Sequence, residues 1–437
     1  MAQHTLTIAP ADDLIDVSRR IVVAGVAPGQ TVELTAVTVR AGVAWQSQAT
    51  FTADASGVID LTRDAPISGS YEGVAAMGLI WSQVPVNSAS REAFNQPVTA
   101  PLSTRISARV QDTDITAELV QRLAAAGVTR RDVREDGLVG TLYLPPGPGP
   151  HPAVMILNGS GGGINEPRAA LYASRGYAAF ALAYFKAPGL SAYISNTPLE
   201  YFQAGMDWLR RNVKPAHDFV ALSGQSRGGE LVLLLGATFP ESVSAVLAYV
   251  PGAVVHSGQN AADPQVGRNG PAWLLGGKPV THVWENNRTA TWKPFDEGPE
   301  PHRHEKAILT ALQDPEAVAR ARIRVENIQG PVMLLSATDD GSWPSSLYSR
   351  MVRDKLREVN HPYPVQWLDY EDAGHSILFP FVPTTQLVYA HPVSGKISTG
   401  GGNPKDNARA DEESWAGVLK FLDAAVQARA NAGKTLI

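Results

Sequence analysis

Apolar and polar positions follow two different rhythms along the chain. From Asp13 to about Gln111, short stretches rich in Val, Ile and Thr recur: Ile21–Val23, Val32–Val39, Ala49–Ala53, Val58–Leu61 and Ile106–Val110. Gly, Pro, Asn and Asp separate them at short spacing. β-branched runs between turn formers predict the strands of a β-sandwich, and no helix is expected there. Ala117–Ala126 fits a short helix or a linking strand equally well. Gly137–Leu144 reads as a strand, and the Pro/Gly run Pro145–Pro150 behind it is a turn or rigid loop, since proline fixes φ and removes a donor.

Beyond that run the rhythm becomes strand–helix alternation. Val154–Leu157, Ala178–Tyr184, Phe219–Ser223, Ser244–Tyr249, Val332–Ala337 and Val365–Leu368 are short apolar strands. Glu166–Arg175, Leu199–Arg211, Glu230–Ala237, Ser345–Leu356 and Glu412–Ala428 are helical by pattern. Continuous apolar strands between amphipathic helices predict a mostly parallel sheet with helices on both faces. The stretch 252–324, rich in Gly, Pro, Asn and His, breaks the alternation and is expected to form a cap over the edge of the sheet where such folds bind ligands.

Length and composition sharpen this. At 437 residues the chain is long for one domain, so we expect a β-sandwich over 1–125 and an α/β domain over 126–437. Charged residues make up 18% and the net charge is −5, with no long basic run, so no nucleic-acid partner is expected. The chain has no cysteine, which excludes disulfides, thiolate metal sites and a cysteine nucleophile. Met1–Pro10 has neither a basic start nor an apolar run, Thr435-Leu436-Ile437 is no familiar targeting tripeptide, and no apolar stretch is long enough to cross a membrane. A cytoplasmic protein is the expectation; oligomeric state stays open.

The chemistry concentrates in Gly224-Gln225-Ser226-Arg227-Gly228, a G-x-S-x-G segment between a predicted strand and a predicted helix. In an α/β-hydrolase, that turn exposes a nucleophilic hydroxyl above the sheet. A serine hydroxyl needs a base. His375, in Asp372-Ala373-Gly374-His375 after the last strand, stands where the chain order Ser, acid, His requires it. The acid belongs after Val332–Ala337, where Asp339 and Asp340 compete. Among the other histidines, His151, His217 and His361 read as surface residues; His302 and His304, together in the cap, read as solvated loop residues, with substrate contact as the alternative. An oxyanion hole needs the amide after the nucleophile, that of Arg227, and one from the loop Asn158–Gly163, placed near Gly161 or Gly162. That loop is no dinucleotide fingerprint, because Ile164 stands where the third glycine would be. The phosphate-loop pattern and metal motifs are also absent, so neither cofactor nor metal is expected.

These residues resemble a known family. Gly159–Gly163 with Glu166, Arg168 and Ala169, then Gly176-Tyr177-Ala178 leading to Ala181–Tyr184, Leu199–Phe202, the elbow Gly224–Glu230, Asp339-Asp340 with Trp343, Gly374-His375, and Gly401-Gly402 through Trp415 recur in order. So do Trp45, Phe51–Asp54, Gly57, Gly69–Tyr71 and Met77–Ser82 in the first third. Together, over about 12–428, they resemble the acyl-CoA thioesterase / bile acid-CoA:amino acid N-acyltransferase family. The resemblance implies an immunoglobulin-like β-sandwich ahead of an α/β-hydrolase domain. It also implies Asp340 as the triad acid and a small-molecule acyl thioester as substrate. Serine members resemble the thioesterases and cysteine members the amino-acid conjugators, so Ser226 implies hydrolysis. Acyl transfer to an amine or hydroxyl acceptor and cleavage of oxygen esters remain alternatives. Arg168, Arg175, Lys186 and Arg227 are candidates to meet CoA phosphates, against the plainer reading of solvated basic side chains. The first third carries no catalytic candidate; shaping the site entrance and supporting oligomerisation both stay open for it.

Overall fold

The structure is a computed structural model that describes residues 3–86 and 96–434; the readings made on Met1-Ala2 and Thr435-Leu436-Ile437 lie outside the described residues. The chain forms two compact units. The first comprises Met1–Ala125, Leu378–Leu387 and Asn403–Glu413, and the second Ala126–Ile377, Val388–Gly402 and Ser414–Ile437. A single cut at 125/126 therefore misses two late segments that group with the first unit.

The first unit is a β-sandwich. One sheet runs in the order Asp12–Leu14, Thr113–Arg122, Leu102–Val110, Thr31–Arg40, Val43–Thr52 and Ser68–Gly69; the other holds Thr5–Ala9, Arg20–Ala24 and Val58–Asp60. Alternation decides which face goes inward. Val32, Leu34 and Ala36 of one strand, and Ile106, Ala108 and Val110 of its neighbour, are buried with Ile21 and Val23 of the second sheet in one core. The ambiguous stretch at 117–126 is largely strand: Thr113–Arg122 pairs antiparallel with Leu102–Val110. One short helix, Gly78–Trp81, departs from the all-strand expectation, and it forms because Leu79 and Ile80 bury themselves in the core.

In the second unit, β1 (Thr129–Val133) and β2 (Val139–Leu144) are antiparallel, followed by β3 (Ala153–Leu157), α1 (Glu166–Ser174), β4 (Ala178–Ala183), α2 (Glu200–Asn212), β5 (Val220–Gln225), α3 (Arg227–Thr238), β6 (Ala245–Tyr249), β7 (Val332–Ala337), α4 (Ser345–Glu358) and β8 (Val365–Tyr370). A last helix, α5, spans Pro404–Lys434; its residues up to Glu413 group with the first unit and those from Ser414 with the second. The eight strands order as β1-β2-β4-β3-β5-β6-β7-β8, and every pairing from β4 to β8 is parallel. β3, β4, β6 and β7 are buried throughout, as strands covered on both faces must be. This is the expected α/β-hydrolase sheet. The excursion between β6 and β7 takes up residues 250–331, wider than the expected 252–324, and contains the short helices Lys293–Asp296, Glu305–Ala311 and Pro315–Ala321. Among the described residues no helix is long and apolar enough to cross a membrane.

The late segment 378–387 completes the first unit's core. Phe381 is buried among its strands, and its carbonyl accepts from Gln121 Nε2 at 3.0 Å. Phe381→Ala is expected to cost about 3–5 kcal/mol, the usual penalty for emptying a buried aromatic site. Chemical denaturation followed through the first unit's tryptophans checks this; an unchanged midpoint would mean the segment only rests on the sandwich.

Candidate active site

β5 delivers Ser226 to a bend too sharp for an ordinary residue. Ser226 sits at φ 59° and ψ −118°, the left-handed side that non-glycine residues avoid at a cost of about 1–3 kcal/mol. Its backbone is held from both ends: the amide donates to the Tyr249 carbonyl at 2.9 Å, and its carbonyl accepts from the Glu230 amide at 3.0 Å. The flanking glycines are steric necessities. A Cβ on Gly224 would lie 2.0 Å from the Gly228 carbonyl oxygen, and one on Gly228 would lie 2.3 Å from that of Leu157.

The turn after β8 brings His375 to this serine. Its Nε2 lies 2.7 Å from Ser226 Oγ, and its Nδ1 lies 2.8 Å from Asp340 Oδ2. The two aspartates at the end of β7 are in different situations. Asp340 is buried; its Oδ1 accepts the amides of Ser342 and Trp343 at 2.9 and 3.2 Å, leaving Oδ2 for the imidazole. The Asp339 side chain is 46% exposed and holds Arg303 and the Gly402 amide instead. Of the pair, it is Asp340 that meets His375.

The loop after β3 lies against the serine. A Cβ on Gly159 would be 3.3 Å from Ser226 Cβ. Tyr184 donates to the Asn158 carbonyl at 2.6 Å, and Asn158 Nδ2 donates to the Gly162 carbonyl at 2.7 Å, so the loop is tied at both ends. One expectation needs correction. The Gly162 amide donates to the Gly159 carbonyl at 3.1 Å, closing the loop's own turn, and is not available to an oxyanion. The Gly161 amide has no such partner among the described residues. Arg227 is the first residue of α3, where helix amides have no acceptor within the helix, so its N–H points outward beside Ser226.

Comparison with known proteins shows the family. The model of the BAAT / acyl-CoA thioester hydrolase C-terminal family matches residues 197–428, and that of the acyl-CoA thioester hydrolase/BAAT N-terminal region matches residues 16–135. The chain belongs to this family. It is similar to acyl-coenzyme A thioesterase 1 of Rattus norvegicus, at 31% identity over 96% of both chains, and to its Homo sapiens counterpart at 30% over the same shares. Acyl-coenzyme A thioesterase 6 of Mus musculus is 29% identical, again over 96% of each.

Behind the elbow, this thioester hydrolase family member carries a buried charge network that sequence reading missed. Glu230, one turn along α3, is fully buried. Its carboxylate meets Arg227 at 3.4 Å, Trp273 Nε1 at 2.9 Å, and both the amide and Nδ1 of His256 at 2.8 and 2.5 Å. His256 Nε2 in turn meets the Tyr348 hydroxyl at 2.8 Å, and the His256 ring stacks on Trp343 with centroids 4.6 Å apart. Burial alone would raise the Glu230 carboxyl, but Arg227, His256 and Trp273 outweigh it and hold it below the usual range. Burial also lowers His256, so the pair is a carboxylate beside a neutral imidazole. The elbow signature reached Glu230, but a lone glutamate in a helix pattern gives no sign of burial; His256 carried no signal at all.

The basic candidates for phosphate contact are also revised. Arg227 is buried, spending its guanidinium on Glu230, Gln259 and the carbonyls of His256 and Ser257. Arg168 is buried against the Tyr249 ring and bonded to its hydroxyl. Lys186 Nζ holds the Pro392 carbonyl. Arg175 closes α1 with its backbone amide and is itself exposed, so that candidate is unchanged. His302 and His304 are not solvated. Both are buried, and both pack edge-on against Phe295, because the aromatic residues of the excursion draw its polar backbone into a folded layer.

Two expectations follow. Glu230→Ala removes the acceptor for Arg227, Trp273 and His256 together and is expected to cost about 3–5 kcal/mol, as breaking a buried pair does; a melting temperature within a degree or two of the parent's would mean the network relaxes freely. Acid should destabilise the fold through the same region. Burial holds His304 down to about 3 and His391 to about 4, whereas unfolded imidazoles protonate near 6.5. The unfolded chain therefore binds more protons, and stability is complete above about 6.5 and falls as pH drops toward the folded values. Melting curves at constant ionic strength, taken from about pH 7.5 to about pH 4, should move steadily downward; a flat series would contradict neutral buried rings.

Proposed function

We propose that the chain hydrolyses acyl-CoA or closely related acyl thioesters through an acyl-Ser226 intermediate. The hydrogen-bonded chain from Asp340 through His375 to Ser226 carries this reading. His375 Nε2 takes the hydroxyl proton as Ser226 Oγ adds to the thioester carbonyl, and the π pair moves onto oxygen. Asp340 fixes the ring tautomer and stabilises the imidazolium. The Arg227 amide and a second amide from the Gly159–Gly161 segment receive the negative charge. When the tetrahedral species collapses, the carbon–sulfur bond breaks and the imidazolium gives its proton to the departing sulfur, so the thiol leaves and His375 is neutral again. Water, deprotonated by the freed imidazole, then attacks the ester, and Ser226 regains its proton from His375 as the acid departs. Serine favours this outcome over aminolysis, because an oxygen ester is a poorer acyl donor to amines than a thioester. Similarity to the named thioesterases supports acyl-CoA as the substrate class.

The test compares purified parent chain, Ser226→Ala, Asp340→Asn and Asp339→Asn on acyl-CoAs of graded length. Ser226→Ala and Asp340→Asn are expected to lose about 10⁴-fold or more in kcat, the scale on which triads fail. Asp339→Asn should stay near the parent. Intact mass should detect an acyl adduct on the parent that Ser226→Ala lacks. Activity that persists in Ser226→Ala sinks the proposal.

A further inference from the structure

Ser160 lies in the loop beside Ser226, between Gly161 and Gly159, where an added Cβ would come within 3.3 Å of Ser226 Cβ. Its Oγ is 2.9 Å from Nε2 of His391. His391 sits at the end of a small hairpin in which Val388–Ala390 pairs with Ile397–Thr399. The direction of the Ser160 bond follows from what surrounds the ring. Nδ1 of His391 is met by two backbone donors, the amides of Val393 and Ser394, each at 3.2 Å. A nitrogen that receives N–H donors is an acceptor, and burial keeps the ring neutral. The single ring proton is therefore on Nε2, and His391 donates to Ser160. Ser160 Oγ is then the acceptor of that bond, and its own hydroxyl proton has no acceptor among the described residues. A hydroxyl that accepts a hydrogen bond becomes a stronger donor itself.

The hairpin also fixes where this hydroxyl stands. A Cβ on Gly161 would lie 3.3 Å from the Pro392 ring, and the Pro392 carbonyl is held by Lys186 Nζ. Loop and hairpin thus meet at two successive points, 160 with 391 and 161 with 392, and Lys186 holds the hairpin beside them.

We propose that the Ser160 hydroxyl is a side-chain donor to the substrate's carbonyl oxygen as it becomes the oxyanion, and that His391 is the positioning residue that turns that proton toward the substrate. The inference rests on Ser226 being acylated as proposed above. No proton is transferred: as Ser226 Oγ adds and the carbonyl pair moves to oxygen, Ser160 O–H joins the Arg227 amide and one loop amide in holding the charge. His391 keeps Ser160 from turning its proton back into the protein, because that side of the oxygen is already occupied by a donor.

The experiment uses the full chain and the acyl-CoA it turns over best. Ser160→Ala is expected to lower kcat about 10²-fold with KM little changed, the cost of one oxyanion donor. Affinity for a trifluoromethyl ketone analogue of the acyl thioester, which adds to serine as an oxyanion, should fall by a similar factor. His391→Ala should lose activity in kcat, His391→Gln should recover most of it by supplying an N–H, and Ser160→Ala with His391→Ala should be little worse than Ser160→Ala. An unchanged kcat in Ser160→Ala, or a loss confined to KM, overturns the inference while leaving acylation of Ser226 standing. If Ser160→Ala fails to fold, equal activity of His391→Gln and His391→Ala overturns it instead. A parent chain with neither turnover nor an acyl adduct overturns the parent reading and this one together.

Discussion

The His375 imidazole must satisfy two partners at once, with one nitrogen on a carboxylate and the other on a hydroxyl, and this demand organises the rest of the second unit. A ring with 2.7 and 2.8 Å bonds on opposite nitrogens tolerates little displacement of either partner. Each is accordingly fixed by backbone rather than by side-chain packing alone. Asp340 spends one oxygen on two amides so that the other points in one direction. Ser226 is held in a left-handed conformation that it would not choose, between the Tyr249 carbonyl of β6 and the Glu230 amide of α3. The backbone of His375 itself is tied to the Gly400 carbonyl at 2.8 Å. The strain at Ser226 persists because β5, α3 and the Leu157 carbonyl leave no other path through Gly224 and Gly228.

A buried carboxylate directly behind such an elbow is costly unless every lone pair is used, and the Glu230 network uses them. Its value is geometric. Glu230 is on α3, the helix that follows Ser226, and His256, bonded to Glu230, stacks on Trp343, whose amide binds Asp340 and whose indole donates to the Val250 carbonyl at 2.7 Å. One continuous set of contacts therefore joins the helix behind Ser226 to the turn that carries the acid. An apolar replacement of equal volume could fill the space, but it would have no directional hold on either end.

Much of this was legible in the sequence because the chemistry forces rare local patterns. Only small residues fit around the elbow, so Gly224, Ser226 and Gly228 announce it, and the order of strands places His375 and the Asp339-Asp340 pair after the right elements. Which aspartate meets His375 was not legible from the residues themselves, since adjacent carboxylates share composition and differ only in which amides the turn presents. Burial of His302 and His304 was hidden for a different reason. Their neighbourhood is rich in Gly, Pro and Asn, which usually marks solvated loop, while its core is made by a few dispersed aromatics such as Trp284, Trp292 and Phe295 that follow no period. Phe381 was equally invisible as a member of the first unit, because a pattern read along the chain cannot register a packing partner some 260 positions away.

The same reasoning explains why the glycine loop stood out in the sequence while the choice between its Gly161 and Gly162 amides did not. A run of glycines indicates that backbone approaches something closely, yet says nothing about which amide is left free. In so short a loop the answer depends on the loop's own closing bonds, and here Gly162 and Gly163 are spent on the carbonyls of Gly159 and Phe185. Those bonds are also what make the remaining donors useful. A loop that still had to order itself around substrate would lose, in entropy, much of what its amides gain from the oxyanion. Tied to Tyr184 and braced by the His391 hairpin, this one is fixed before substrate arrives. Preorganisation of that kind is invisible to any motif, because it belongs to the partners of the loop and not to the loop's own residues.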